Sequence, residues 1–415
     1  MDGTTAGGAK AETGDRDEDS MKIADVEVAW IQLPLPVGRG LSGGPITSST
    51  DLVCRVTTAD GVRGIGEARG GSLPVMAEIV HQALRPLLIG QDAAATQYLW
   101  TRMEQAVGGQ DAQGGPSWPP AWDRRARLGA MAAVDLALWD VKARAAGLSL
   151  CRLLGGQPHP VPAYCSSGFY VEGQSLEAMA AEALEELTAR GFRATKIRVG
   201  RGEPPESARR VGAVRDAVGP DVQIMVDANQ AWDTDEALAH AKAMEPYGVS
   251  WLEEPLPSPG RPSRTKRLVK DWDAELGQLG THTTIPLASG ENHVSLEECR
   301  DLIDKGRVRY VQFDCTKNGG VTTFAKVAAY AEAKGVSLAP HHVPHFHVQL
   351  AAAFPHASWV EVFDNAKQHV AWPELFPGYP EVRDGHMACP DGPGWGLEVN
   401  DRLLAQRGTL VHWRV

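Results

Sequence analysis

The chain has 415 residues, 43% of them hydrophobic, which exceeds one ordinary domain and suffices for a sizeable core. No apolar run reaches the roughly 18–20 residues that span a bilayer, and a net charge of −11 counts against nucleic acid and anionic membranes as partners. The six cysteines (Cys54, Cys151, Cys165, Cys299, Cys315 and Cys389) are scattered without a CxxC pair, as expected of reduced thiols in a cytoplasm and not of a disulfide framework. Residues 1–20 are small, polar and acidic, and read as a disordered tail, neither a signal nor a transit peptide. Alternating apolar and polar residues over 22–36 and 52–67 predict antiparallel strands, with Thr58-Ala59-Asp60-Gly61 as a turn. Helical periodicity covers 74–88, 94–107 and 125–146. Strands first and helices afterward predict an α+β cap over 21–155. Two stretches within it stand out: 37–50 is rich in Gly and Ser, and 108–122 mixes Gly, Pro and two tryptophans. Such loops close over active sites as lids, though ordinary surface loops share the composition.

From about 161 to 372, roughly seven strand–helix alternations follow, the pattern of a TIM-like barrel. A carboxylate closes each of three successive apolar runs: Asp227 after 222–226, Glu253 after 249–252, and Glu291 after 285–290. The steps of 26 and 38 residues are each long enough for one helix and one strand. Successive barrel strands end on one face, so the three carboxylates are expected to converge there. Three hard oxygen ligands suit Mg²⁺, with waters and substrate completing an octahedron. The series extends both ways. Lys196 and Arg198 stand at the end of 194–199, Asp314 follows 310–313, His341 follows 336–340, and Glu361 follows 358–360.

This ordered series resembles the enolase superfamily, in particular its mandelate racemase subgroup, over nearly the whole chain from about Lys22. The residues that carry the resemblance are Lys196-x-Arg198, Asp227-Ala-Asn229, Glu253-Glu254-Pro255, Gly290-Glu291-Asn292, Asp314-x-x-Lys317-x-Gly319-Gly320, His341 and Glu361. Residues 132–156, AAVDLALWDVKARAAGLSLCRLLGG, resemble the helix and entry segment before the family's barrel. The resemblance implies a (β/α)7β barrel over 156–372 and a segment, 373–415, that returns to the capping domain. It also implies one Mg²⁺ per site and a symmetric homo-oligomer.

On that basis Asp227, Glu253 and Glu291 are the expected metal ligands. Glu254 competes with Glu253, but strand alternation sends the two to opposite sides, and the resemblance favours Glu253. His341 with Asp314 reads as an acid/base dyad, in which the carboxylate fixes the tautomer and raises basicity. HHVPHFH also offers His345 as a second choice. Alternation puts Lys196 and Arg198 on one face. Racemases of the subgroup have a lysine base where this chain has Arg198. A guanidinium stays protonated and clamps anions, which counts against two-base racemisation. Lys196 remains an alternative base if cationic neighbours lower its pKa, and Arg198 is either a substrate clamp or a partner to a ligand carboxylate. Asn229, Lys317 and Glu361 are expected to orient substrate, with Ser166 in reach. The basic run Arg261, Arg264, Lys266 and Arg267 reads as a solvated loop or an anion site.

The expected activity is an Mg²⁺-dependent dehydratase. A base removes the proton alpha to the carboxylate of an aldonate or aldarate, and the enolate expels the C3 hydroxyl to give a 2-keto-3-deoxy acid. A racemase, epimerase or cycloisomerase of the same enolate chemistry is the alternative. A non-catalytic metal-binding scaffold is a third, against which the intact ligand set and dyad count.

Overall fold

Three antiparallel strands begin the fold: β1 (Ile23–Pro34), β2 (Ser48–Thr58) and β3 (Arg63–Ala68). They come from a computed structural model that describes residues 21–35, 39–41, 43–108, 118–259, 261, 263–264, 266–363 and 372–414. The turn between β2 and β3 forms at Thr58–Gly61, where Gly61 N–H donates to Thr58 O at 3.0 Å and glycine takes a φ of 86°. Helices α1 (Leu73–Ile79), α2 (Thr96–Gly108) and α3 (Arg124–Ala145) follow. Helix α3 lies directly on β3. A Cβ on Gly66 would stand 2.0 Å from Ala133 O, and one on Gly64 2.3 Å from Ala137 O. Those glycines therefore serve close helix–strand packing. The C-terminal strand Gly408–His412 joins the same sheet by pairing with β1.

Eight parallel strands then alternate with helices: β4 (Val161–Ser166), β5 (Ala194–Arg198), β6 (Gln223–Asp227), β7 (Val249–Glu253), β8 (Leu287–Ser289), β9 (Tyr310–Val311), β10 (Ser337–Leu338) and β11 (Val360–Phe363). Neighbours in sequence pair in order, and β11 returns to β4. A single parallel bridge, Leu338 to Ala357, spans the remaining gap, giving the TIM-like barrel. Seven helices fill the crossovers: α4 (Leu176–Arg190), α5 (Pro204–Val218), α6 (Thr234–Met244), α7 (Trp272–His282), α8 (Leu296–Asp304), α9 (Gly320–Ala333) and α10 (Pro344–Ala353). Their starts are locally encoded. Ser175, Asp233, Asp271 and Ser295 each accept a backbone N–H three residues on, and Asp233 with Glu236 makes a capping box.

One apolar cluster packs Tyr164, Ala194, Met225, Trp251, Ala288 and Ala339 together, with Trp359 against it. These positions lie two residues before Ser166, Lys196, Asp227, Glu253, Gly290, His341 and Glu361. Side chains alternate along a strand, so the polar set forms the next layer on the same inner face. The cap closes over that layer. Arg69 N–H donates to Thr316 O at 3.4 Å and Trp100 Nε1 to Gly319 O at 2.7 Å. Buried Asp135 accepts both the N–H and the hydroxyl of Thr322, at 2.9 and 2.7 Å.

Two expectations fall partly outside the described residues. Of 37–50, positions 37, 38 and 42 lie outside; the rest includes a small sheet in which Arg39–Leu41 pairs with Gly44–Pro45 and with Tyr170–Val171 of the barrel. Of 108–122, only 108 and 118–122 are described, and the expected tail, 1–20, lies outside altogether. Among the described residues no helix is long and apolar enough to cross a membrane.

Candidate active site

A cavity of about 290 Å³ opens at the C-terminal ends of the strands, under the cap. From the barrel it is lined by Arg198, Asp227, Asn229, Glu291, Lys317 and His341, and from the cap by Ser48, Ser49, Thr50 and Arg69. Lys196, Glu253 and Glu361 do not line it and are buried behind Asp227, Arg198 and His342. Lys196 Nζ lies 2.6 Å from Glu253 Oε1 and 2.8 Å from Glu361 Oε1. The second Glu253 oxygen accepts from Gln312 Nε2 at 2.6 Å and Trp251 Nε1 at 3.1 Å.

The two side chains expected to form a dyad are in contact. His341 Nδ1 is 2.9 Å from Asp314 Oδ2, and Nε2 contacts Glu291. Asp314 is itself fixed by the N–H and hydroxyl of Thr316 at 2.9 and 2.7 Å. Burial disfavours the imidazolium, but Glu291 and Asp314 outweigh it and push the His341 pKa up to about 9. Burial also acts against the Asp314 carboxylate, yet His341 and Lys317 hold it well below the usual range. Lys317 Nζ stands 3.4 Å from His341 Nδ1 and 3.8 Å from Glu291. The second-choice histidine is not at the site. His345 is wholly buried with Nε2 2.9 Å from Glu67 Oε2, between cap and barrel.

Lys196 departs from the expectation of a lowered pKa. Burial does oppose its charge, but Glu253, Glu361 and Asp227 lie nearer than Arg198 can offset, and the pKa is raised. The lysine is therefore held as an ammonium, not poised as a base. Arg198 donates to Ser166 Oγ at 2.6 Å and stands 3.9 Å from both Asp227 and Glu361. Ser166 thus braces Arg198, and it is not among the residues that line the cavity. Asn229 donates its backbone and side-chain N–H to Asp227 at 2.8 and 2.7 Å. Among the described residues, Arg198 Nε and Asn229 Oδ1 are buried without hydrogen-bond partners, leaving a donor and an acceptor for a bound molecule.

Glu253 and Glu254 do part company. Glu254 accepts from Ser289 Oγ at 2.7 Å, Gln230 Nε2 at 2.8 Å, Asn292 Nδ2 at 3.1 Å and Gly290 N–H at 3.2 Å, a closed structural set. Glu253 instead faces Lys196 and Gln312. Asp227, Glu253 and Glu291 are hard oxygen donors, as Mg²⁺ requires. Among the described residues no group of three or more His, Cys, Asp or Glu side chains is ready-made for an ion, because Glu253 is held by Lys196 and Glu291 by His341. The charge balance nevertheless fits a cation. Burial raises the pKa of Asp227, and that of Glu253 to about 7, despite Lys196 beside both. These carboxylates are short of positive charge.

Four contributors escaped the sequence analysis. Gln312 continues the inner face of β9 two residues beyond Tyr310, a signal that alternation offers. His342 lies on the cavity, sends its N–H to Glu361 at 2.9 Å and stacks on His341 with ring centroids 5.2 Å apart. Arg69 and Phe169 are brought in by the cap and by the segment after β4, and no local pattern announces them. Arg264 and Arg267 of the basic run pair with Glu236 at 2.8 Å and Asp235 at 3.2 Å.

Residues 25–155 match the family model for the mandelate racemase / muconate lactonizing enzyme N-terminal domain, and residues 178–403 match the enolase C-terminal domain-like model. The chain is 30% identical over 412 residues to L-talarate/galactarate dehydratase of Salmonella typhimurium, covering 97% of this chain and 93% of that one. It is 32% identical over 397 residues to 3,6-anhydro-alpha-L-galactonate cycloisomerase of Streptomyces coelicolor, covering 92% and 99%. Among solved structures, L-talarate dehydratase from Polaromonas sp. JS666, complexed with Mg and L-glucarate, has a TM-score of 0.76 at 32% identity, covering 95% of this chain and 99% of that one.

Proposed function

The chain belongs to the enolase superfamily, in its mandelate racemase subgroup, and from that premise we propose that it is an Mg²⁺-dependent acid-sugar dehydratase. Asp227, Glu253 and Glu291 would hold the ion. Mg²⁺ bound there supplies positive charge beside the substrate carboxylate, which an enolate needs because its parent α-proton is so weakly acidic.

The protein's own groups do the rest. Nε2 of His341 contacts Glu291, which raises its pKa; with Glu291 drawn to the ion instead, the ring would be neutral and Nε2 would take the α-proton, with Nδ1–H directed to Asp314 and the tautomer thereby fixed. Lys317 stands beside His341 and Glu291 to meet the carboxylate. Arg198 and Asn229, with a free donor and a free acceptor, position the hydroxyls. Lys196 holds Glu253 and Glu361 in place and keeps Glu361 charged. The C3 hydroxyl then departs with the proton that His341 carries, from the face on which the α-proton left. Tautomerisation of the resulting enol gives the 2-keto-3-deoxy acid.

The observation that carries this is that His341, backed by Asp314, lines the cavity together with Arg198 and not with a second lysine base at that position, so that one base faces the substrate and not two. The similarity to an acid-sugar dehydratase along almost the whole chain supports it. Screening acid sugars for 2-keto product with Mg²⁺ present tests it. Cycloisomerisation uses the same proton abstraction, and two of the relatives are cycloisomerases. Product mass separates the two, since dehydration loses one water and isomerisation loses nothing.

A further inference from the structure

Among the described residues, Arg69, Arg198, Lys317 and His341 on the active-site cavity already face carboxylates. Arg69 Nη1 is 2.8 Å from Asp51 Oδ1, and its guanidinium packs 4.8 Å from the ring of Trp372, whose Nε1 also donates to Asp51 at 2.9 Å. Arg198 stands near Asp227 and Glu361, and Lys317 near Glu291 and Asp314. The rest of the wall divides sharply. Ser48, Ser49 and Thr50 offer hydroxyls at the start of β2. Leu41, Ile46, Phe169 and Phe363 offer only carbon.

The apolar part is built by the small sheet between cap and barrel. Gly40 pairs with Tyr170, which sets Leu41 over the Phe169 segment. The Phe169 ring lies 4.4 Å from the Arg198 guanidinium, and Phe363 meets the ring of His342 edge-on, with centroids 4.6 Å apart. Among the described residues, these four side chains offer no partner to a charge seated against them, which would lose its hydration, or to a hydroxyl, which would lose its hydrogen bonds. A methyl group would lose nothing.

We propose that the substrate is a monocarboxylic sugar acid whose end furthest from the reacting carboxylate is uncharged and deoxygenated, seated against Leu41, Ile46, Phe169 and Phe363. This rests on the dehydratase assignment and narrows it from acid sugars in general to deoxy aldonates, against aldarates. A second cavity of about 330 Å³, lined by Arg201, Arg261 and Arg264, meets the first at Asn229. Its arginines are already engaged by Leu41 O at 2.6 Å, Gln230 Oε1 at 3.1 Å and Glu236 Oε1 at 2.8 Å. A second carboxylate that extended past Asn229 would enter it.

The experiment compares a hexarate, the hexonate and the 6-deoxyhexonate of matched stereochemistry, with Mg²⁺, by kcat/KM for 2-keto product. The 6-deoxy acid should exceed the hexonate about tenfold and the hexarate by more, since one group in an apolar pocket is worth roughly 10–200-fold. Ile46→Ser or Phe169→Ser should erase most of the difference through KM. A hexarate that is the best substrate, with its advantage lost in Arg261→Ala, would overturn the proposal. Calorimetric binding to His341→Asn with Mg²⁺ ranks the same acids without turnover. Absence of 2-keto product from any acid therefore counts against the dehydratase assignment alone, whereas no binding, or a reversed ranking, counts against the monocarboxylate proposal.

Discussion

Lys196 Nζ lies 2.6 Å from Glu253 Oε1, and both side chains are almost wholly buried, so β5 delivers a fixed ammonium to a carboxylate on β7. Glu361 receives the same ammonium from the other side at 2.8 Å. This arrangement separates two lysine roles that the chain alone leaves open, because a proton held by two carboxylates is not one a base has given up. Replacing Lys196 with Met should cost about 3–5 kcal/mol of stability, since it strands buried carboxylates. Exchange of the substrate α-proton in D₂O should slow in this variant yet keep its stereochemistry. Complete loss of exchange in a folded Lys196→Met protein, with exchange persisting in His341→Asn, would move the base to Lys196.

His341→Asn should lose both α-proton exchange and dehydration, by roughly 10²–10⁴-fold, the usual contribution of a positioned general base. Asp314→Asn should retain the fold and lose about 10–100-fold, because the ring loses its orienting partner and not its chemistry. A single residue serving both steps requires syn elimination. The geometry of product made in D₂O from a stereospecifically labelled substrate checks this.

Glu253 and Glu254 are adjacent, and their variants should fail differently. Glu253→Gln should lose Mg²⁺-dependent thermal stabilisation together with turnover, and chelation should abolish turnover of the parent enzyme reversibly. Glu254→Ala leaves Ser289, Gln230, Asn292 and Gly290 with unmet donors. It should lower stability by about 2–4 kcal/mol whether or not Mg²⁺ is present. Equal thermal shifts with Mg²⁺ in the Glu253 variant and the parent would remove Glu253 from the ligand set.

Arg198→Ala should raise KM at least tenfold while kcat falls less, because the side chain clamps substrate and does not exchange protons. Arg198→Lys tests the second face. If guanidinium is what prevents two-base chemistry, only the lysine variant should epimerise the substrate alpha carbon, and epimerisation by the parent enzyme would refute that account.

Asp135 joins cap to barrel, and burial raises its pKa to about 7 from its ordinary value of 3.8, although Thr322 donors pull the other way. The folded state therefore binds more protons than the unfolded chain between those values. Stability contributed by this group is fully present below the lower value and is lost as pH rises through the higher one. Asp135→Asn cannot ionise, so its urea midpoint should fall less than the parent's between pH 5 and pH 8. Parallel profiles in the two proteins would exclude Asp135 as the source.

Much of the barrel and its inner layer was legible in the sequence, because a strand that ends in a parallel barrel places its last side chain by a local rule. Apolar runs spaced by helix lengths located Asp227, Glu253, Glu291, Asp314, His341 and Glu361, and period-two alternation parted Glu253 from Glu254. Helix starts at Ser175, Asp233 and Ser295 were likewise local, since a cap needs only a side chain and an N–H three residues on. What the chain could not declare was anything fixed by contacts distant in sequence. That Lys196 would be held charged depends on Glu253 and Glu361, which lie 57 and 165 positions away. That His345 would be spent on Glu67 depends on a cap strand 278 positions away. Arg69 and Phe169 reach the cavity only once the cap has closed on the barrel. Hydrophobic and hydrogen-bonding periodicity encodes elements and the faces they present, whereas pKa, pocket walls and specificity arise from charges and surfaces that meet only in the folded chain.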